Sequence, residues 1–236
     1  MSIGADGLWV FGYGSLMWRT GFPFVEARRA RLDGYHRAFC ITSTHHRGSP
    51  ARPGLVLGLD RGGACEGMAF RVAPGQSPAT LAYLRERELI NGVYREAFVP
   101  VVLHPPGDGG GPGIARALAF IVERAHPSYA RGLDLATEAR LIRGARGVSG
   151  HGLDYLVNTV RHLQAAGIRE RRLERLMAIA AAHVANAPVA ADHARPGARA
   201  IRNAIWRAGG MPARRLRPDQ RRRFLYRMKL GGGAFA

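Results

Sequence analysis

Apolar residues run in short alternating or clustered blocks at about 8–12, 36–42, 55–60, 65–72, 96–103 and 116–122, the patterning of half-buried or buried strands. Within the first 120 residues only one stretch, Ser77 to Asn91, carries helical spacing, with Ser77 expected as N-cap and Pro78 at the first helical position. From Thr137 onward the period changes, predicting helices at about 136–146, 152–166 and 169–186, the last with Leu173, Leu176 and Met177 on one stripe. Gly107 to Gly113 is too glycine-rich for a regular element and reads as a surface hairpin or loop. A strand-rich half with few helices disfavours a doubly wound sheet and suits a small barrel braced by the later helices. Beyond Pro188 the periodicity is lost as far as Pro196, which sets a main domain at 1–186 against a linker and Arg-rich helical extension at 187–236. The extension is expected to hold a short helix from Pro218 to Met228.

Two segments carry candidate chemistry. Phe11-Gly12-Tyr13-Gly14-Ser15-Leu16-Met17 closes the first apolar run, and glycines there let backbone N–H groups approach a ligand. On the predicted helix, Leu81, Leu84 and Glu88 share one face while Glu86 points elsewhere, so Glu88 is aimed inward. A carboxylate on an apolar face is ordinarily neutralised by an arginine or lies at the edge of the core. Beside a turn rich in N–H donors it acquires a second reading, a general base next to an oxyanion site, as acyl transfer to an internal amine needs.

Other readings of the glycine turn fail on spacing. A dinucleotide fingerprint requires a glycine where Met17 stands, and an acidic residue about twenty positions on, where His36 and Arg37 lie. A nucleophile elbow requires glycines at the positions of Tyr13 and Met17 around Ser15. No phosphate loop is present, and the single lysine is Lys229.

Several spaced motifs occur in one order: Val10 to Trp18, Gly34-Tyr35-His36-Arg37, His46-Arg47-Gly48-Ser49 with Arg52-Pro53-Gly54, and Gly67 to Arg71. Tyr83 to Glu88 follows with Gly92 and Tyr94, then Gly147 and Gly150 before Asp154-Tyr155-Leu156, and finally Gly167-Ile168. In this the chain resembles the ChaC-like γ-glutamylcyclotransferases over about residues 8 to 180. The resemblance implies an α+β fold, a small mixed β-barrel with flanking helices, and a cofactor-free reaction. In that reaction the α-amine of a γ-glutamyl group attacks its own γ-carbonyl and releases 5-oxoproline; from glutathione the other product is cysteinylglycine. It implies Glu88 as catalytic base, the Tyr13-Gly14-Ser15-Leu16 backbone as the grip on the glutamyl end, and hydroxyl contacts from Tyr94 and Tyr155. Arg47, in the His45-His46 loop, could pair a substrate carboxylate. Two neighbouring positions depart from the family pattern: Gly152 stands where Asn is usual, two residues before the acid-Tyr-Leu, and Asp154 replaces the commoner Glu. The alternatives are a cyclotransferase for other γ-glutamyl amines or dipeptides, and an inactive basic binding protein; retention of both the turn and Glu88 speaks against the latter.

Composition adjusts this picture little. With 236 residues, 47% apolar, the chain can bury a full core. Cys40 and Cys65 lack metal or disulfide-framework spacing, and neighbouring His45 and His46 would point to opposite faces of a strand. The cysteine usage makes the cytosol the default, and the absence of a signal-like start or a long apolar run makes a soluble protein with no membrane partner the expectation; the small-molecule substrate, glutathione or a related γ-glutamyl peptide, is what the resemblance implies. The net charge of +18 would suggest a polyanion partner. Yet 35 basic residues with a single lysine, beside abundant Ala and Gly, look like the output of GC-rich coding, and no nucleic-acid module is recognisable. Nucleic acid is therefore not an expected partner.

Overall fold

The computed structural model describes residues 7–106 and 111–185. The expected C-terminal extension and its Pro218–Met228 helix lie outside the described residues, as does most of the glycine-rich loop. The chain forms two compact units, one taking in 7–41 and 57–131 and the other 42–56 and 132–185 among the described residues.

The first unit is built on five strands, β1 (Leu8–Gly12), β2 (Glu26–Ser43), β3 (Gly54–Val72), β4 (Tyr94–Leu103) and β5 (Gly113–Val122), with helix α1 (Ser77–Glu88) between β3 and β4. They close a barrel in the order β1-β3-β2-β4-β5. β1 runs antiparallel to β3, with Val10 opposite Phe70, and parallel to β5, with Val10 opposite Leu118. β4 and β5 form an antiparallel hairpin from Tyr94–Val122 to Leu103–Gly113. The barrel is thus mixed, as expected. Val10, Phe39, Leu59, Phe70, Leu118 and Phe120 fill the core, each at most 1% exposed. Phe22 meets Phe70 edge-on, with centroids 6.2 Å apart.

Two predicted strands, 55–60 and 65–72, are one. The chain bends at Gly62 and Gly63, whose φ values of +99° and +69° suit residues without a Cβ, and His36 Nδ1 lies 2.9 Å from the Gly62 carbonyl. β2 likewise begins ten residues before the predicted 36–42 run. In α1 the cap is Gln76 rather than Ser77: a 3-10 turn, Pro74–Gln76, leads into the helix. Ser77 is buried, and its Oγ donates to the Ala73 carbonyl at 3.0 Å. The helix ends at Glu88, short of Asn91, because the chain turns at Gly92, φ +66°.

The second unit contains α2 (Leu135–Gly144), the two-residue strands β6 (Arg146–Gly147) and β7 (Gly150–His151), then α3 (Gly152–Ala165) and α4 (Arg171–Ala185). Asp134 caps α2 by accepting the Thr137 N–H at 2.7 Å. Leu173 and Leu176 are buried as the stripe predicted, against a helical core that includes Ile142, Leu156 and Val160. Gly152 now has a reason. A Cβ there would stand 2.5 Å from the Ile142 carbonyl oxygen, so an asparagine would force the start of α3 away from α2. Among the described residues no helix is long and apolar enough to cross a membrane.

Candidate active site

The turn after β1 is built by short-range hydrogen bonds. Ser15–Met17 forms a 3-10 turn in which Met17 N–H donates to Gly14 O at 2.9 Å and Arg19 N–H to Ser15 O at 2.8 Å. The N–H groups of Ser15 and Leu16 stand ahead of these bonds, as the leading donors of any helical turn do. Leu16 and Met17 anchor the turn by burial. Tyr13 contributes backbone rather than ring: its side chain is buried, and its hydroxyl donates to Phe120 O at 3.0 Å.

Arg37, which sequence reading left without a role, organises this turn. It is 4% exposed, and its Nε donates to Tyr13 O at 2.5 Å and a terminal nitrogen to Glu66 O at 2.6 Å. In a trans peptide the C=O and the following N–H point oppositely, so holding the Tyr13 carbonyl turns the Gly14 N–H to the other side. The available signal was a charged residue inside a strand-like run, which needs a buried partner.

Glu88 ends α1 on the face that buries Thr80 and Leu84, and its side chain is 18% exposed. Arg87 Nε lies 3.0 Å from Glu88 Oε1, so the ordinary explanation of an acid neutralised by arginine holds in part. Burial nevertheless outweighs the arginine and pushes the Glu88 carboxyl above the usual carboxylate range. The same guanidinium donates to Ser15 Oγ at 3.0 Å, which brings the turn and Glu88 to one group. Glu86 is exposed. Tyr94, at the start of β4, donates its hydroxyl to Leu57 O at 2.7 Å.

In the second unit, Arg47 sits with its guanidinium 5.0 Å from the centroid of the Tyr155 ring and donates to His151 O at 3.3 Å. The loop carrying Arg47 is pinned by the β6–β7 hairpin: Val148 and Ser149 N–H groups donate to His45 O and His46 O at 2.9 and 3.0 Å. Burial, then the charges of His45 and Arg47, hold the His46 imidazole below its ordinary pKa, and its Nδ1 lies 3.1 Å from Ser149 Oγ. The structure thus groups Tyr13, Gly14, Ser15, Leu16, Glu88 and Tyr94 in the first unit, and Arg47 with Tyr155 in the second. Among the described residues no cluster of His, Cys, Asp or Glu could hold a metal ion.

One glycine offers a test of the turn's foundation. A Cβ on Gly67 of β3 would stand 2.5 Å from Gly12 O and 2.8 Å from Phe11 Cζ, at the base of the turn. Gly67→Ala must displace backbone. A cost of about 1–3 kcal/mol is expected, with a thermal midpoint lower by roughly 2–12 °C and catalytic turnover reduced beyond the unfolded fraction. A variant with wild-type midpoint and turnover would show that the close approach is not needed.

Comparisons with known proteins identify the family and the fold. A family model described as ChaC-like protein matches residues 8–183, and the chain belongs to that family. Among its relatives are the glutathione-specific γ-glutamylcyclotransferase of Escherichia coli K12, 34% identical over 170 residues (72% of this chain and 71% of that protein), and the glutathione-specific γ-glutamylcyclotransferase 1 of Homo sapiens, 36% identical over 162 residues (68% and 71%). A crystal structure of a γ-glutamyl cyclotransferase specific to glutathione from yeast superposes with a TM-score of 0.65 at 22% identity, covering 74% of this chain and 96% of that one. It shares the α+β barrel fold.

Proposed function

We propose that this protein is a glutathione-specific γ-glutamylcyclotransferase, with Glu88 as its base. The observation that carries the reading is the pairing of a desolvated carboxylate with a glycine-containing turn through one guanidinium. The γ-glutamyl α-ammonium gives a proton to Glu88, and the resulting amine attacks the γ-carbonyl carbon of the same glutamyl group. A C–N bond forms in the five-membered ring and the amide C–N bond to cysteine breaks. The ring nitrogen gives up a second proton as the amide bond breaks, and the two protons, relayed through Glu88, pass to the departing nitrogen, yielding 5-oxoproline and cysteinylglycine with its α-ammonium.

Both reacting groups belong to one small molecule, so much of the rate enhancement comes from holding the ring-closing conformer. The Tyr13–Leu16 backbone is the grip we assign to the glutamyl end, its leading N–H groups meeting oxygen that gains negative charge. Tyr94 donates its proton to Leu57 O and so offers a ligand an acceptor, which suits the α-ammonium. Arg47, a permanent cation stacked on Tyr155, is assigned a substrate carboxylate.

Incubating the protein with glutathione, γ-Glu-Ala and γ-glutamyl amines, with mass-spectrometric detection of 5-oxoproline, tests the assignment. Product from glutathione in marked preference is expected. Preference for another γ-glutamyl compound would reassign the leaving group.

The elevated Glu88 pKa predicts the pH dependence. A base works only when deprotonated, so kcat/KM should fall about tenfold per pH unit below that pKa. Because burial raises it, this acid limb lies above the roughly 4.3 of an unperturbed glutamate. A limb at or below that value, measured with glutathione in overlapping buffers, would contradict the desolvated base.

A further inference from the structure

Arg87 makes more polar contacts than charge neutralisation requires. One terminal nitrogen donates to Arg19 O at 2.6 Å, to Tyr83 Oη at 3.1 Å and to Thr20 O at 3.4 Å. The other donates to Ser15 Oγ at 3.0 Å, and Nε faces Glu88 Oε1 at 3.0 Å. All three nitrogens are thus engaged, in directions fixed by one rigid plane. The side chain is 24% exposed, sheltered enough for these bonds to persist. On a helix, successive residues point about 100° apart, so Arg87 does not inherit the inward face of Glu88. It reaches the carboxylate because the segment from Ser15 to Thr20 holds its other end.

We propose that Arg87 is a positioning residue, clamping Glu88 to the Tyr13–Leu16 turn so that the base and the glutamyl grip keep one spacing. The inference rests on the reading of Glu88 as the base. A carboxylate left to its own rotamers would sample positions away from the ammonium it must deprotonate, and small misplacements in such sites cost large factors in rate. The same contact supplies a positive charge that partly offsets the desolvation of Glu88.

The other groups at this end do not compete for that role. Ser15 Oγ, Tyr83 Oη and the carbonyls of Arg19 and Thr20 are neutral, and the Arg19 side chain is exposed. Arg85, earlier on α1, is committed to Glu96 of β4 through two bonds of 2.7 Å. Among these groups, Arg87 is the charged one acting on the Glu88 carboxyl.

Arg87→Gln and Arg87→Lys, measured beside Glu88→Gln, separate the possibilities. For Arg87→Gln the acid limb of kcat/KM should move up by roughly one pH unit or more, as expected when an adjacent cation is lost. Its turnover above the limb should fall by about tenfold or more, with KM changed far less. Arg87→Lys should return the limb toward wild type, because the charge is restored, while turnover stays reduced, because one ammonium cannot span Ser15, Arg19 and Glu88 together. An Arg87→Gln enzyme with an unmoved limb, or an Arg87→Lys enzyme with wild-type turnover, would overturn the clamp. If Arg87→Gln does not fold, the Arg87→Lys turnover decides alone. Full activity in Glu88→Gln would instead remove the base on which the inference rests.

Discussion

Glu88→Gln should lose at least about a hundredfold in turnover, the ordinary size of a proton-transfer contribution, without losing its fold. Glutamine keeps the shape and can still accept from Arg87, but it cannot take the ammonium proton. The stability effect has the opposite sign from that of most buried-site substitutions. Burial raises the folded-state pKa of Glu88 above its unfolded value. At low pH both states are protonated; as pH rises past the unfolded pKa, the unfolded chain releases its proton first, so the group costs stability above that point. At neutral pH the glutamine variant should therefore melt no lower than wild type. Thermal midpoint and 5-oxoproline formation, measured on one preparation, separate a lost base from a lost fold. Retention of more than about a tenth of turnover would remove Glu88 from this role, whereas Glu86→Gln, on the exposed face, should leave turnover near wild type.

The largest stability effect is expected in the helical unit. Glu138 of α2 has a side chain only 5% exposed, and both its oxygens accept from Arg172 of α4, at 2.8 and 2.9 Å. Arg172→Ala would leave a buried carboxylate without that partner. Breaking a buried pair costs about 3–5 kcal/mol. Arg172 is itself 43% exposed, so water screens the site and about 2–3 kcal/mol is the better expectation. That corresponds to a thermal midpoint lower by roughly 4–12 °C for a chain of this size. Replacing both partners with methionine should recover much of the loss, because an apolar pair leaves no charge to desolvate. An Arg172→Ala midpoint within about 1 °C of wild type would mean that the pair contributes little.

Much of the architecture was legible along the chain, for local reasons. β1 at 8–12 and the cores of α2, α3 and α4 fall within a few residues of prediction, because strand and helix periods are written in neighbouring residues. The first half of β2 was not legible. Glu26-Ala-Arg-Arg-Ala-Arg has the composition of a solvated segment, yet it lies in a strand. Arg28 donates to His104 O, and Glu26 accepts from Arg71 at 2.8 Å, so its polar groups are satisfied across the barrel by residues distant in sequence. The run of two glycines at 62–63 looked like a strand end for the converse reason: a bend inside one long strand carries the same local signal as a turn between two.

The candidate site divides along the same line. That Glu88 faces inward and that a glycine turn follows β1 are consequences of spacing, and sequence alone determined them. The partners were decided only in three dimensions. Arg37 grips a carbonyl 24 residues away, and Arg87 meets Ser15, 72 residues earlier in the chain. Arginine carries its donors at the end of a long side chain, and nothing in its local pattern reports which carbonyl or hydroxyl it will reach. Closure of the barrel brings those oxygens within reach, and desolvation makes leaving a charge there unpaired too costly.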